Sequence, residues 1–481
     1  MLGPAPRRHP SYPAAAALLL AAVLLGAPGA RASDPSSARY GDDPSRVLWF
    51  FHITDTHIDT SYYAGEELRL EWALTTVLDV INPFFVVVTG DLTDASNGLV
   101  PGWGPQEDEW ETYRAIVDRS GMTYDFYYDI PGNHDAFFDG DLTWYLDRSL
   151  QGSVANTTQP DWRLDLPFGS YHFVTVATPD NDGYVDPFDT PEITSAEYDE
   201  IAGKLAANAD STLTIAFGHH DYESADGGGG LDELFASYGV PYYFHGHNHD
   251  YRARVTPHNV LIQRVDSLGK GESNNICVHA IDDNAWSHAC VPDGDPWPLA
   301  VLTAPVDARL GEDDDVDNPY AVSVPVTCEA APLRALVFDP VAVSTVTAWW
   351  DTRDTVAFVR SAAIPEQWTG TFDARELSAG IHTLTVEIIG SRTRDVSIQV
   401  LFADRPCDVH VPPPEEDAPE PVETVEETPE AEGPVDTSPD GADETAPETV
   451  PDAAPDAPDD LREDTGGTGD LSGGGCACRI P

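Results

Sequence analysis

Five short polar clusters in this chain are built from metal-binding residue types: Asp55-Thr56-His57, Gly90-Asp91, Gly132-Asn133-His134-Asp135, Gly218-His219-His220 and Gly246-His247-Asn248-His249. Taken singly they are weak signals, because G-D and G-H pairs are common by chance. All five in one order, each directly after an apolar run, are specific. Carboxylate, amide and imidazole donors without thiolate suit Mn, Fe, Zn or a mixed pair. Two such ions a few ångströms apart act as a clamp: they lower the pKa of a bridging water, neutralise phosphoryl oxygens and steady an in-line displacement.

The elements that must position these clusters are legible as buried strands. Val47–Ile53, Phe84–Thr89, Asp125–Ile130, Tyr171–Ala177, Leu213–Phe217 and Tyr242–Phe244 are rich in Val, Ile, Phe and Tyr. Glu66–Ile81, Glu107–Arg119 and Ser195–Asn208 read as helices between them. Such alternation predicts an α/β domain, in which loops after the strands converge on one rim. The i, i+2 spacing of Asp55 and His57, and of His247 and His249, predicts side chains directed to a common centre. Glycine at 90, 132, 218 and 246 permits tight turns and close approach to the ions.

D-x-H, G-D, G-N-H-D, G-H and G-H-x-H in this order resemble the calcineurin-like metallophosphoesterase superfamily over about residues 46–297. The resemblance implies a four-layer α/β/β/α metallophosphoesterase sandwich and two divalent or trivalent ions. Asp55, His57 and His249 would hold the first ion, Asp91 would bridge, and Asn133, His219 and His247 would hold the second. It also implies hydrolysis of a phosphate mono- or diester by a metal-bridging hydroxide. His134 would protonate the leaving oxygen, with Asp94 as its partner; a helix N-cap is the competing role for Asp94. His220 competes with His219 as ligand and is otherwise placed to contact substrate.

Three segments narrow the match. Trp49-Phe50-Phe51-His52-Ile53-Thr54-Asp55, Val86–Ala95 and Ile130–Phe137, with Glu109-Trp110-Glu111-Thr112-Tyr113, resemble the transmembrane protein sixty-two-like branch, which places an immunoglobulin-like domain after the phosphoesterase. This chain lacks that branch's downstream membrane helices. It also departs from serine/threonine phosphatases, whose phosphate-gripping arginine is replaced by Ala95, and from purple acid phosphatases, whose tyrosine ligand is replaced by Asp94.

From 298 to 410 the texture is strand-like, including the alternating Ile381-His382-Thr383-Leu384-Thr385-Val386, which predicts an all-β immunoglobulin-like domain used for packing or adhesion. Residues 411–481 form a Pro-rich acidic tail: Glu415 to Asp470 contains 21 acidic residues against one basic residue, Arg462. It cannot bury enough apolar area to offset its ordering entropy and is expected to be disordered.

Composition bounds the partners. With 83 acidic and 25 basic residues in 481, the formal charge is −58, which excludes a nucleic-acid-binding surface and repels anionic membranes. A phosphate-ester substrate would be repelled as well unless bound metals inverted the local field. Arg7 and Arg8 before the apolar run Ala14–Leu25, ending at Ala30-Arg31-Ala32, predict a signal peptide over 1–32 and a secreted or extracytoplasmic protein with no membrane span after cleavage. Six cysteines fit an oxidising compartment; Cys277–Cys290 and Cys328–Cys407 are the expected pairs among the three connectivities that these four cysteines allow. Gly475-Cys476-Ala477-Cys478 resembles the start of a myxobacterial C-terminal sorting tail, implying cell-surface association; surface thiols on a disordered end are the alternative.

Several features have plain structural readings. His52, His172 and His245 are expected to be satisfied core histidines, and Trp103 and Trp110 either wall a pocket or pack. Gly227–Gly230 reads as a flexible loop or lid, and Asn156-Thr157-Thr158 is a glycosylation sequon. The competing function class is a metal-loaded but catalytically weak module that uses its β domain to engage a partner.

Overall fold

The computed structural model describes residues 43–60, 65–95, 104–179, 191–270, 274–310, 316–351 and 355–407. The signal-peptide segment 1–32, the acidic tail with Cys476 and Cys478, and Trp103 lie outside the described residues.

Two sheets carry the first part of the chain. β1 (Val47–Ile53), β2 (Val86–Thr89) and β3 (Tyr127–Ile130) are mutually parallel. The second sheet contains β4 (Asp161–Leu166), β5 (Gly169–Thr175), β6 (Leu213–Phe217), β7 (Tyr242–His245), β8 (Arg252–Val255) and β9 (Leu261–Arg264), in the order β4-β5-β6-β7-β9-β8. The chain then returns through β10 (Asn275–Asp282) and β11 (Ala285–Pro292) to complete the first sheet in the order β11-β10-β1-β2-β3. β8 to β11 escape a periodicity reading because they are short or carry polar residues that only the folded sheet buries.

β1 is buried along its whole length, so it reads as a continuous apolar run. Phe50 faces the second sheet, stacked on Phe85 at 4.8 Å and edge-on to Phe173 and Phe217 at 5.9 and 5.8 Å. Its neighbour Trp49 points the other way, where its indole N–H donates to the Ile81 carbonyl at 2.9 Å. That outer face is covered by α1 (Glu66–Trp72), α2 (Leu78–Ile81) and α3 (Glu107–Arg119), through Leu70, Leu78, Ile81, Trp110, Tyr113 and Ile116. After the short α4 (Asn133–Ala136), α5 (Thr143–Arg148) and α6 (Leu150–Ala155), α7 (Ser195–Ala207) and α8 (Gly229–Tyr238) cover the second sheet through Ile201, Leu205, Leu231 and Phe235. Helices thus lie outside both sheets, as the alternation predicted.

Two expectations change. Glu66–Ile81 is helical throughout, but Ala73–Val77 forms a π segment, where the Thr75 hydroxyl donates to the Glu71 carbonyl at 2.5 Å. Gly227–Gly230 is not a lid: Gly229 opens α8, and a Cβ on Gly227 or Gly228 would collide with the Ile193 or Tyr222 carbonyl. These glycines serve close packing. Trp110 is fully buried in the core, which settles its role as packing.

The C-terminal part is strand-rich. One sheet contains Leu299–Ala304, Ala331–Phe338, Gln367–Phe372 and Val359–Arg360; the other contains Val324–Pro325, Thr393–Ala403, Gly380–Ile389, Thr345–Trp350 and Thr355–Ala357. Leu333, Ala335, Val346, Ala348, Leu384, Val386 and Phe402 form the core they share. The opposite face of the first sheet, through Leu299, Val301, Leu336 and Phe338, joins the preceding core. Disulfides link Cys277 to Cys290, directly opposed on β10 and β11, and Cys328 to Cys407, as expected. No helix among the described residues is long and apolar enough to cross a membrane.

Candidate metal centre

The rim where β1, β2, β6 and β7 end brings all seven expected ligands together. Asp55 and His57 stand beyond the end of β1, not within it, so strand alternation does not aim them. Left-handed backbone does: φ is 52° at Asp55, 43° at His57, 50° at Asp91, 80° at His247 and 55° at His249. Such angles are uncommon away from glycine and cluster at functional sites. Backbone bonds hold the turn in place, from Asp55 N–H to the Gly90 carbonyl at 3.0 Å and from His57 N–H to the Asp91 carbonyl at 2.9 Å. Gly90, at φ 88°, must lack a side chain because its Cβ would meet the His219 ring.

Two ligand sets share one carboxylate. On one side, His57 Nε2 lies 3.0 Å from His249 Nε2, 3.7 Å from Asp55 Oδ1 and 3.5 Å from Asp91 Oδ2. On the other, His219 Nε2 lies 3.2 Å from Asp91 Oδ1 and 2.9 Å from Asn133 Oδ1, which is 3.1 Å from His247 Nδ1.

The donor chemistry fits a pair of cations. Asp55 Oδ2 accepts from the His247 N–H at 2.9 Å and from the Thr54 hydroxyl at 2.7 Å, whereas Asp55 Oδ1 is buried and faces only imidazole nitrogens, with His249 Nε2 at 3.2 Å. A buried carboxylate oxygen left so demands a positive partner. His219 Nδ1 sits 2.8 Å from the Thr89 carbonyl, which can only accept, so Nδ1 carries a proton and Nε2 is the nitrogen that faces two further oxygens. Burial pushes the His219 imidazole down, but the Asp91 carboxylate overrides it and holds the ring at about 10. The pocket therefore pulls positive charge into itself. His247, half-buried and beside His220 and His219, is pushed down to about 3 and stays a neutral donor.

His134 stands at the edge, its Nε2 4.0 Å from Asp91 Oδ2 and its Nδ1 donating to the Asp94 carbonyl at 2.7 Å. The Asp94 carboxylate lies closer to His57, with Oδ1 3.0 Å from His57 Nδ1 and 3.6 Å from His134 Nδ1. Ala95, directly after Asp94, has a left-handed φ of 50°, and no helix starts at Asp94 among the described residues, which speaks against the N-cap role. His220 stays in the cluster: its Nδ1 is 2.7 Å from the Thr178 hydroxyl, its ring packs 4.3 Å from His247, and with His219 and His247 it forms a group that could hold a metal ion. His52, His172 and His245 are buried, with partners Thr89, Asp161 and the Gly246 carbonyl respectively.

Two residues had no role in the sequence reading. Asp135 accepts from the N–H groups of Leu92, Thr93 and Gly132 at 3.0, 3.0 and 2.8 Å, clamping the second and third motif loops together. Burial, then the Asp91 charge, raise its carboxyl to about 7. Its place in G-N-H-D was the available signal. Lys270 reaches Asp94 Oδ1 from the loop after β9, and no local motif marks it.

Residues 48–251 match the family of calcineurin-like phosphoesterases. Residues 48–251 thus form a calcineurin-like metallophosphoesterase domain. Among curated proteins it is similar to Transmembrane protein 62 of Mus musculus, 26% identical over 305 residues covering 61% of this chain and 47% of that protein. It is also similar to Putative metallophosphoesterase At3g03305 of Arabidopsis thaliana, 24% identical over 235 residues covering 44% of this chain and 30% of that protein. The chain thus spans less than half the length of either relative. A dimetal phosphatase from Danio rerio aligns with a TM-score of 0.41 at 13% identity, covering 52% of this chain and 97% of that one.

Proposed function

We propose that this protein is an exported, metal-dependent phosphoesterase that hydrolyses a phosphate mono- or diester. The division of Asp91 between the ligand sets carries this reading: Oδ1 faces His219 while Oδ2 faces His57, the arrangement a bridging ligand requires. Asp55, His57 and His249 would hold one ion, and Asn133, His219 and His247 the other. When bound, such a pair activates water and neutralises phosphoryl oxygens.

The chain's own residues do the rest. Asp55 and Asp91 gather positive charge in a protein that otherwise repels phosphate. His134, held through Nδ1 on the Asp94 carbonyl, offers Nε2 at the open edge and there gives a proton to the departing oxygen. Asp94 orients His57 from behind. The two disulfides support an oxidising compartment. The two facing C-terminal sheets support an immunoglobulin-like domain over 298–410, following a phosphoesterase domain over 46–297.

The test is hydrolysis of 4-nitrophenyl phosphate and bis(4-nitrophenyl) phosphate by the full chain with Mn, Fe or Zn, alongside elemental analysis. Metal-stimulated turnover that disappears in Asp91→Asn is expected. Metal-loaded protein inert across a broad ester panel would sink the hydrolase reading.

A further inference from the structure

Only two of the 25 basic residues in this chain are lysines, Lys204 and Lys270. Lys204 pairs with Glu200 on the exposed side of α7. Lys270 is delivered to the candidate metal centre. The loop that carries it lies along the first motif: Leu268 N–H donates to the Thr54 carbonyl at 3.0 Å, and Gly269 N–H and the Ser267 hydroxyl both donate to the Asp55 carbonyl at 2.9 Å. Its own N–H is anchored on Ser267 Oγ at 2.7 Å. The ammonium position is therefore set by the same turn that sets Asp55.

A single oxygen, Asp94 Oδ1, touches Lys270 Nζ, lies 3.0 Å from His57 Nδ1 and lies 3.6 Å from His134 Nδ1. Asp94 is 1% exposed at its side chain and Lys270 22%, and the oxygen that Lys270 touches is the one that neighbours the proposed proton donor. An ammonium carries three donors and can hold a carboxylate and a phosphoryl oxygen together.

We infer that Lys270 is a substrate-binding residue, which uses Asp94 as its base and grips a phosphoryl oxygen at the His134 side of the centre. This rests on the phosphoesterase reading and deepens it, because Ala95 leaves the motif loop without a cation of its own.

The test is calorimetric titration of inorganic phosphate into the metal-loaded full chain, with metal content measured on each sample. Lys270→Met is expected to weaken phosphate binding about 10- to 100-fold, the loss of one charge-assisted contact, with metal content unchanged. Lys270→Arg should keep most of the affinity. KM for 4-nitrophenyl phosphate should rise in parallel in the Met variant, with a smaller change in kcat. Unchanged phosphate affinity in Lys270→Met would overturn the assignment, and so would loss of metal, which would make Lys270 a prop for Asp94 and His57. An arginine variant as weak as the methionine one, or wild-type protein that binds no phosphate, also counts against it. Phosphate binding without turnover would defeat the hydrolase reading and leave Lys270 standing.

Discussion

The backbone N–H of His134 donates to Asp91 Oδ1 at 2.9 Å. The proposed proton donor is thus tied through its main chain to the carboxylate that both ligand sets share. Asp135 clamps the same two loops, so the centre and its acid move as one body.

Asp91→Asn should reduce bound metal below two ions per chain and lower turnover about 10³-fold or more, since metal stabilisation of the transition state is worth several kcal/mol. Elemental analysis with steady-state kinetics checks this. Full metal occupancy with normal turnover would refute the bridging role.

His134→Gln should leave metal content intact and separate substrates by leaving group. Alkyl phosphates should slow about 10²- to 10⁴-fold. Aryl esters, whose leaving oxygens need no proton, should lose far less. Equal losses for both classes would make His134 a structural residue.

Glu109 gives a pH prediction. Its Oε2 accepts the Ala95 N–H at 2.9 Å, and burial holds its carboxyl at about 9, against 4.5 when unperturbed. The folded state keeps a proton the unfolded chain has released, so this group's effect on stability worsens as pH rises from about 4.5 to 9. Glu109→Gln does not titrate. It should raise the unfolding free energy at pH 8, by an amount on the order of a few kcal/mol at most, and make little difference near pH 4. A variant no more stable at pH 8 than at pH 4, relative to wild type, contradicts the assignment.

Arg334 binds Asp282 with Nε–Oδ2 at 2.8 Å and Nη2–Oδ1 at 3.0 Å, both side chains buried where the strand-rich part meets β10. Arg334→Leu should cost about 3–5 kcal/mol, because it leaves a buried carboxylate without its partner. Arg334→Leu with Asp282→Leu should recover much of that loss. Denaturant unfolding of the single and double variants checks both. A single variant as stable as wild type would mean that the pair does not couple the two parts.

The sequence by itself named the candidate ligands and the order in which they come. A ligand motif is local: an apolar run makes a buried strand, and a glycine makes the turn that exposes the next polar side chain, so Asp55, Asp91, Asn133 and His247 announce themselves. β1, β6 and α3 fall where periodicity placed them for the same reason. Tertiary structure decided what locality cannot encode. His219 and His220 are neighbours in sequence, and their different partners come from far along the chain: Thr178, 42 residues away, meets His220 Nδ1, while Asp91 and Asn133 meet His219 Nε2. Lys270 lies 176 residues from Asp94 and carries no periodic signal. Asp135 and Arg334 likewise gain their meaning from partners in other loops and another sheet. A side chain's chemistry is written in its type, but its charge environment belongs to whatever packing brings within a few ångströms.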